Sequence, residues 1–385
     1  MRRERITSVG MPTVIAPEAI FLVGELGLPE EKVAVVAAVS SHATAQYCSD
    51  AVAASPLVSA VVERARNQLG EAAAALPLGS VLLGPAKPRD GEGLAFDTTP
   101  AIAVATAAAM FETAGQSISR RKREILLVAQ TAHRAIQTGI GAEGELAAAL
   151  HGGLIKVIFR PDAYPRIETL APPAGLHLVV FHTGQPLFSA DWLSCVQQFA
   201  ERYPAAYSQI IRDLIERAAR FATELTEGNV TAAIASAGRY GHCIMQLAAA
   251  VSMPSQSAPL RQAIELATQI GGIAKTTSAI HSDRGIAMFA TPEAAGLFVR
   301  ACQPPLVPLC IDLDRSGARR LKRTRQSGEI HTPIPETDPS SISAQAIVRG
   351  FLDDDSTDRT LSESEAELCG VTPDHPVPPL FPRWR

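Results

Sequence analysis

No Cys-x-x-Cys pair and no His/Cys group at metal-ligand spacing occurs anywhere in the 385 residues. The six cysteines (Cys48, Cys195, Cys243, Cys302, Cys310 and Cys369) are scattered. That pattern fits buried or unreactive thiols in a reducing compartment, and argues against a disulfide framework or a zinc site. Apolar stretches are short, and none reaches the ~18 residues of a membrane helix. The basic opening MRRERITSVGMP leads into no apolar core or small-residue cleavage site, so it does not read as a secretory signal. Neither sign of charge dominates: the formal net charge is −4, which gives no overall pull toward nucleic acid or anionic lipid. These absences lead us to expect a soluble, cytoplasmic protein that binds neither nucleic acid nor membrane.

What is present is apolar content, 46% of the chain, enough for one large core or two ordinary ones. Val/Ile/Ala-rich segments at 13–23 and 32–39 predict two strands joined by a Gly-Leu-Pro-Glu-Glu turn. A helix is expected over 51–75 and a strand over 80–84. Thr99 followed by Pro100 marks a further helix start, and 120–137 is a helix with a basic first turn. Strands are expected at 154–159 and 176–181, with the Pro-rich crossing between them as a domain hinge. Helices follow over 206–225, 230–251 and 257–270, then strands at 285–290 and 306–311 around a helix at 291–302. Past 314 a basic run (Arg315, Arg319, Arg320, Lys322, Arg323, Arg325) gives way to acidic clusters and Pro/Ser-rich filler. That composition predicts a largely disordered tail over 315–385, its two charge signs pairing with each other.

One stretch concentrates polar chemistry between two core elements: residues 271–289, GGIAKTTSAIHSDRGIAMF, read as a compact polar turn ahead of a strand. Its order resembles the motif Lys-Pro-Ser-Gly-Ala-Gly-Gly-Gly-Asp-Cys-Gly-Ile-Ala of the phosphomevalonate kinase branch of the GHMP kinases. Lys275, Thr277, Ala279, Asp283, Gly285, Ile286 and Ala287 keep the frame, while Ser278, Ile280, His281 and Ser282 replace its glycines. Three further segments resemble the same family in the same order. Ala16, Pro17, Gly24 and Glu25 match the opening motif, with Glu18 and Ala19 in place of its Gly-Lys. Gly93 and Leu94 match the phosphate loop, with Ala95, Phe96 and Asp97 in place of Gly-Ser-Ser. Ala132, His133 and 138–153 match an Ala-His, Gly-rich, Gly-Gly sequence in which the family's Asp falls on Glu145.

The resemblance, covering about 11–314, implies an α+β fold of two domains. They are a ribosomal-S5-like N-terminal domain (11–170) and a ferredoxin-like C-terminal domain (171–314), with 141–153 facing 271–285 across a cleft. It implies phosphoryl transfer from ATP, with Mg²⁺, to a hydroxyl or phosphate of a small metabolite. Glu145 stands as general base and Lys275 as the second catalytic candidate. Gly93, Asp97, Thr98 and Thr99 are placed at the nucleotide, and His133, Thr183, Thr277, Ser278 and Asp283 at the substrate. Each has a plainer reading: Glu145 as a helix-start carboxylate favoured by the dipole, His133 as a core histidine, the basic turn Arg120–Arg123 as a solvated face. Ala19 removes a cation, Asp97 puts negative charge where phosphate would sit, and Ile280 is costly at positive φ. An alternative therefore stands beside the kinase: a homologue using the cleft for binding, regulation or ATP-independent chemistry. Since the acidic filler offers few apolar groups to bury, a chain ending at Ser327 should melt within a few degrees of the full one. A larger drop on thermal melting would show a docked tail.

Overall fold

The computed structural model describes residues 11–321, apart from 27–29, 31, 49–54, 75, 77–79, 85–98, 137–141, 161–163, 189–191, 254–255, 278–280 and 310. β1 (Thr13–Val23) and β2 (Val33–Cys48) pair antiparallel, as the two apolar segments predict. β2 runs well beyond the expected end at 39, because Ala43, Ala45 and Tyr47 alternate inward between more exposed residues. Its first half pairs with β4 and its second half with β3, so one long strand serves two neighbours. α1 (Pro56–Leu69) is capped by Ser55, whose Oγ accepts from the Val58 N–H, and it stops at Gly70. The single helix expected over 51–75 is thus cut into α1 and a short α2 (Glu71–Ala74). β3 (Ser80–Gly84) and α3 (Thr99–Thr113) fall where expected. α4 (Lys122–Ile136) and α5 (Glu143–His151) complete the first helical layer.

β4 (Leu154–Ile158) is followed by β5 (Arg166–Leu170), which pairs antiparallel with it. Part of the expected hinge is therefore an edge strand, Arg166-Ile167-Glu168-Thr169-Leu170, whose two apolar residues are too few to stand out between the prolines on either side. β6 (His177–Phe188) leads into α6 (Trp192–Arg202), α7 (Pro204–Thr226), α8 (Val230–Ala250) and α9 (Ala258–Gln269). The stretch expected as a polar turn contains β7 (Ile273–Thr276) and the start of β8 (His281–Phe289), paired as a hairpin. α10 (Pro292–Ala301), β9 (Val307–Leu309) and β10 (Arg319–Arg320) follow.

Two sheets result, β10-β1-β2-β4-β5 with β3 beside β2, and β7-β8-β6-β9. The strand period of two sorts side chains between layers. Phe21, Ala34, Val36 and Ala38 pack on α1, α3, α4 and α5, whereas Leu22, Val35, Ala37 and Val39 pack on α6, α7 and α8. Val180, Ile286 and Met288 of the second sheet enter that same middle cluster, while Phe181, Ala287 and Phe289 turn to α9 and α10. The long helices α7 and α8 therefore lie between the sheets. α3 is buried on nearly every side by small residues, which lets it run through the outer layer's centre.

The folded chain extends past the expected boundary at 314. Residues 315–321 do not lead away as a tail: Arg319 and Arg320 pair with Ile15 and Val14 of β1. The expected disorder beyond 321 lies outside the described residues. The turn before β10 is set by Asp314, whose carboxylate accepts from the Ser316 and Gly317 N–H groups and from Arg319, and lies 2.5 Å from His42 Nε2. Gly152 and Gly317 meet back to back: a Cβ on Gly152 would lie 2.2 Å from the Gly317 nitrogen, so neither position admits a side chain.

Burial by itself would raise the Asp314 pKa, but the His42, Ser316 and Arg319 hydrogen bonds and the Arg319 charge outweigh it and hold the carboxyl well below its ordinary value. The native pKa is below the unfolded one, so this stabilisation is complete above the ordinary value of 3.8 and is lost as the pH falls from there toward the depressed one. Asp314→Asn should destabilise the chain by about 3 kcal/mol at neutral pH and flatten the acid limb of its melting-temperature profile. An unchanged acid limb in the variant would remove Asp314 as the cause.

Candidate functional site

β1 ends at Gly24, held at φ 86° with its α-carbon so close to Ala34 that a Cβ would lie 2.6 Å from the Ala34 backbone. That turn delivers Glu25, fully enclosed, to Lys275 on β7: Nζ donates to Glu25 Oε1 at 2.6 Å and to the Thr276 carbonyl at 2.8 Å. The ammonium also lies 5.7 Å from the centre of the Tyr240 ring, on α8. Gly241, one residue on, lets the helix approach, since a Cβ there would sit 3.3 Å from the Lys275 Cβ. Burial pushes the Glu25 carboxyl up, and the Lys275 charge and hydrogen bond, its own backbone and the Tyr240 hydroxyl offset only part of this. Lys275 was expected as a catalytic candidate in a compact polar turn; the structure puts it on a strand, with its charge paired to Glu25.

Three substrate candidates do come together, at the open end of β6, β7 and β8. Thr183 Oγ1 donates to the Asp283 carbonyl at 2.9 Å, and the Thr277 N–H donates to the neighbouring Arg284 carbonyl at 3.4 Å. The Asp283 carboxylate is 2.5 Å from His182 Nε2, and the Gly184 N–H donates to His182 Nδ1 at 3.0 Å. With Nδ1 accepting, the ring proton sits on Nε2 and points at Asp283. The Asp283 side chain is 32% exposed, so one flank of this carboxylate is open to a ligand. Thr183 and Thr277 are themselves buried, so their role among the described contacts is to hold this end of the sheet.

A second pair forms in the outer layer. Thr99, the first residue of α3, places Oγ1 3.4 Å from Nε2 of buried His133 on α4. No acidic side chain lies in the first turn of α3, so its N-terminal N–H groups offer their positive end to an anion. Glu145 is half-buried in the first turn of α5, beside Glu143, which pairs with Arg134 at 2.7 Å. α5 meets β1 at Gly144 against Phe21, and β7 meets the turn after β1 through Lys275 and Glu25. Gly93, Asp97, Thr98 and Ser278 lie outside the described residues.

Sequence reasoning missed His182, Tyr240 and the role of Glu25. Glu25 was legible as half of a Gly-Glu motif, but its partner 250 residues away was not; His182 had only its place beside Thr183-Gly184 as a signal. Glu25→Ala should cost about 3–5 kcal/mol, because it leaves a buried ammonium unpaired. The double replacement Glu25→Leu with Lys275→Met should recover most of that loss. Denaturant unfolding of the Glu25→Ala, Lys275→Met and double variants checks the pair, and a double-variant loss equal to the sum of the single losses would refute the coupling.

No protein-family model matches the chain. A phosphomevalonate kinase from a Streptomyces species is 25% identical over 251 residues, covering 60% of this chain and 66%, just under two thirds, of the relative. Among solved structures, the Streptococcus pneumoniae phosphomevalonate kinase superposes with a TM-score of 0.63 at 15% identity, over 79% of this chain and 99% of its own. The same enzyme in complex with phosphomevalonate and AMPPNP gives 0.62 at 15% identity, over 81% and 100%. The L. major mevalonate kinase with R-mevalonate gives 0.56 at 16%, over 74% and 89%. The chain thus shares the fold of these phosphomevalonate and mevalonate kinases, and in sequence it is similar to a phosphomevalonate kinase.

Proposed function

We propose that the chain is a divergent GHMP-type kinase for a small metabolite carrying a hydroxyl or phosphate group. The observation that carries this reading is the start of α3, where Thr99 Oγ1 lies 3.4 Å from His133 Nε2 and the first turn holds no acidic side chain, in a fold shared with an enzyme crystallised with phosphomevalonate and AMPPNP. Backbone N–H groups there suit phosphate oxygens. ATP, when bound with Mg²⁺, supplies the phosphoryl group. An acceptor oxygen forms the new bond to phosphorus as the bond to ADP breaks. Its proton passes to a carboxylate, for which Glu145 at the start of α5 and Asp283, steadied by His182, are the candidates. Lys275 acts in this reading as a positioning residue for β7 and β8, since Glu25 neutralises it.

A second reading has its own support. β1 carries Ala19 where the family has a lysine, and Lys275 cannot replace that charge while paired. Without a cation at the transferred group, electrostatic stabilisation of the transition state falls, and the cleft would serve binding or ATP-independent chemistry. Calorimetry with MgATP, on the natural chain and on an Asp97→Ser, Ile280→Gly double variant, is paired with an assay of ADP release in the presence of phosphomevalonate. The kinase reading expects weak binding by the natural chain, micromolar binding by the variant, and ADP release dependent on the acceptor. Absence of ADP release from both proteins would favour the second reading. Micromolar binding by the natural chain would show that the altered loops still accept nucleotide.

A further inference from the structure

Between α7 and α8 runs an open groove of about 430 Å³, lined by Asp213 and Arg217 of α7 and by Arg239, His242, Cys243 and Gln246 of α8, among others. Residues 235, 239, 242 and 246 recur at helical spacing and form one stripe of α8. Tyr240, Leu247 and Ala248, on other stripes of the helix, are buried in the core. Two guanidiniums from two helices thus border one concave surface.

Their charge is not consumed locally. Among the described residues Arg239 and His242 make no hydrogen bond or ion pair. Arg217 has only its chain neighbour Glu216, at 3.7 Å, too far for a hydrogen bond. The carboxylate of the groove, Asp213, accepts from Gln209 Nε2 at 3.1 Å on both oxygens and, among the described residues, forms no ion pair with Arg217 or Arg239. A salt-bridge lattice, the usual fate of such groups on neighbouring helices, has not formed here. The Arg217 side chain is 24% exposed, so its guanidinium is partly withdrawn from water, where its attraction for an anion is stronger than on an open surface. A planar guanidinium fork suits phosphate oxygens, and Gln246 adds an uncharged donor.

We propose that this groove binds the phosphate or diphosphate group of a small metabolite, held between Arg217 and Arg239 with His242 and Gln246 as further donors. The site is separate from the α3 N-terminus and from Asp283, and it does not rest on the kinase reading. It shares α8 with Tyr240 and Gly241, which wall in Lys275, so a ligand in the groove touches the helix on which the Glu25–Lys275 pair leans.

The test is calorimetric titration of the full chain with inorganic pyrophosphate, and separately with inorganic phosphate, at low ionic strength. The natural protein is compared with an Arg217→Gln, Arg239→Gln double variant and with Arg239→Gln alone. Arg239 is exposed, so the single variant remains informative if the double one fails to fold, as melting curves will show. Loss of the two charge-assisted contacts should weaken pyrophosphate binding roughly tenfold or more in the double variant, with a smaller loss in the single. Tighter binding of pyrophosphate than of phosphate would assign the groove to a diphosphate, and the reverse to a monophosphate. No pyrophosphate or phosphate binding by the natural chain at millimolar concentration overturns the proposal. Equal binding by natural and variant chains, as an anion held only at α3 would give, overturns it too.

Discussion

A carboxylate and an ammonium 2.6 Å apart, both shut off from water, tie the end of the first sheet to the second. Removing two ions from water costs several kcal/mol each, and the attraction between them offsets this only in good geometry. That requirement propagates. Gly24 must turn tightly to deliver Glu25, Gly241 must leave room for the lysine stem, and Tyr240 must lie beside the ammonium. The pair fixes where β7 stands against β1, and β7 fixes β8 through its ladder. Asp283 and His182 inherit their positions from that chain of contacts.

The middle layer gives the arrangement its stiffness. Residues from both sheets enter one apolar cluster around α6, α7 and α8, so the sheets cannot slide without opening a shared core. Close-packed interiors resist such shifts because each vacated contact is lost outright. α8 thus faces three environments along its length: the core, the Lys275 enclosure and the groove shared with α7.

Much of this was readable in the sequence wherever a local rule governed. Helix starts carrying Ser or Thr with a following Pro appeared as expected, since Ser257 and Thr291 accept from the chain three residues on. The first hairpin and the order of the motifs were equally plain. What escaped depends on partners distant in the chain. β5 has too little apolar content to stand out and exists because β4 offers it an edge. β7 reads as a turn because Lys-Thr-Thr is polar, and it becomes a strand because Glu25 neutralises its lysine. In the candidate site, Asp283, Thr183 and Thr277, all expected at the substrate, lie together at one end of the second sheet, but the histidine beside Asp283 carried no motif of its own. The basic run was read as one unit, although Arg319 belongs to the Asp314 cluster through contacts with a turn and with His42.

The two residues of β10 also bear on how the chain is made. Their partners, Val14 and Ile15, leave the ribosome roughly three hundred positions before Arg319 and Arg320. Until then the outer edge of β1 presents unpaired N–H and C=O groups, the kind of edge that recruits other strands. The Gly152–Gly317 contact closes over α5 at the same late moment. During synthesis the N-terminal half therefore waits with this end of β1 open, and a nascent chain stalled before residue 319 keeps uncovered the Val14 and Ile15 edge that β10 pairs with in the finished protein.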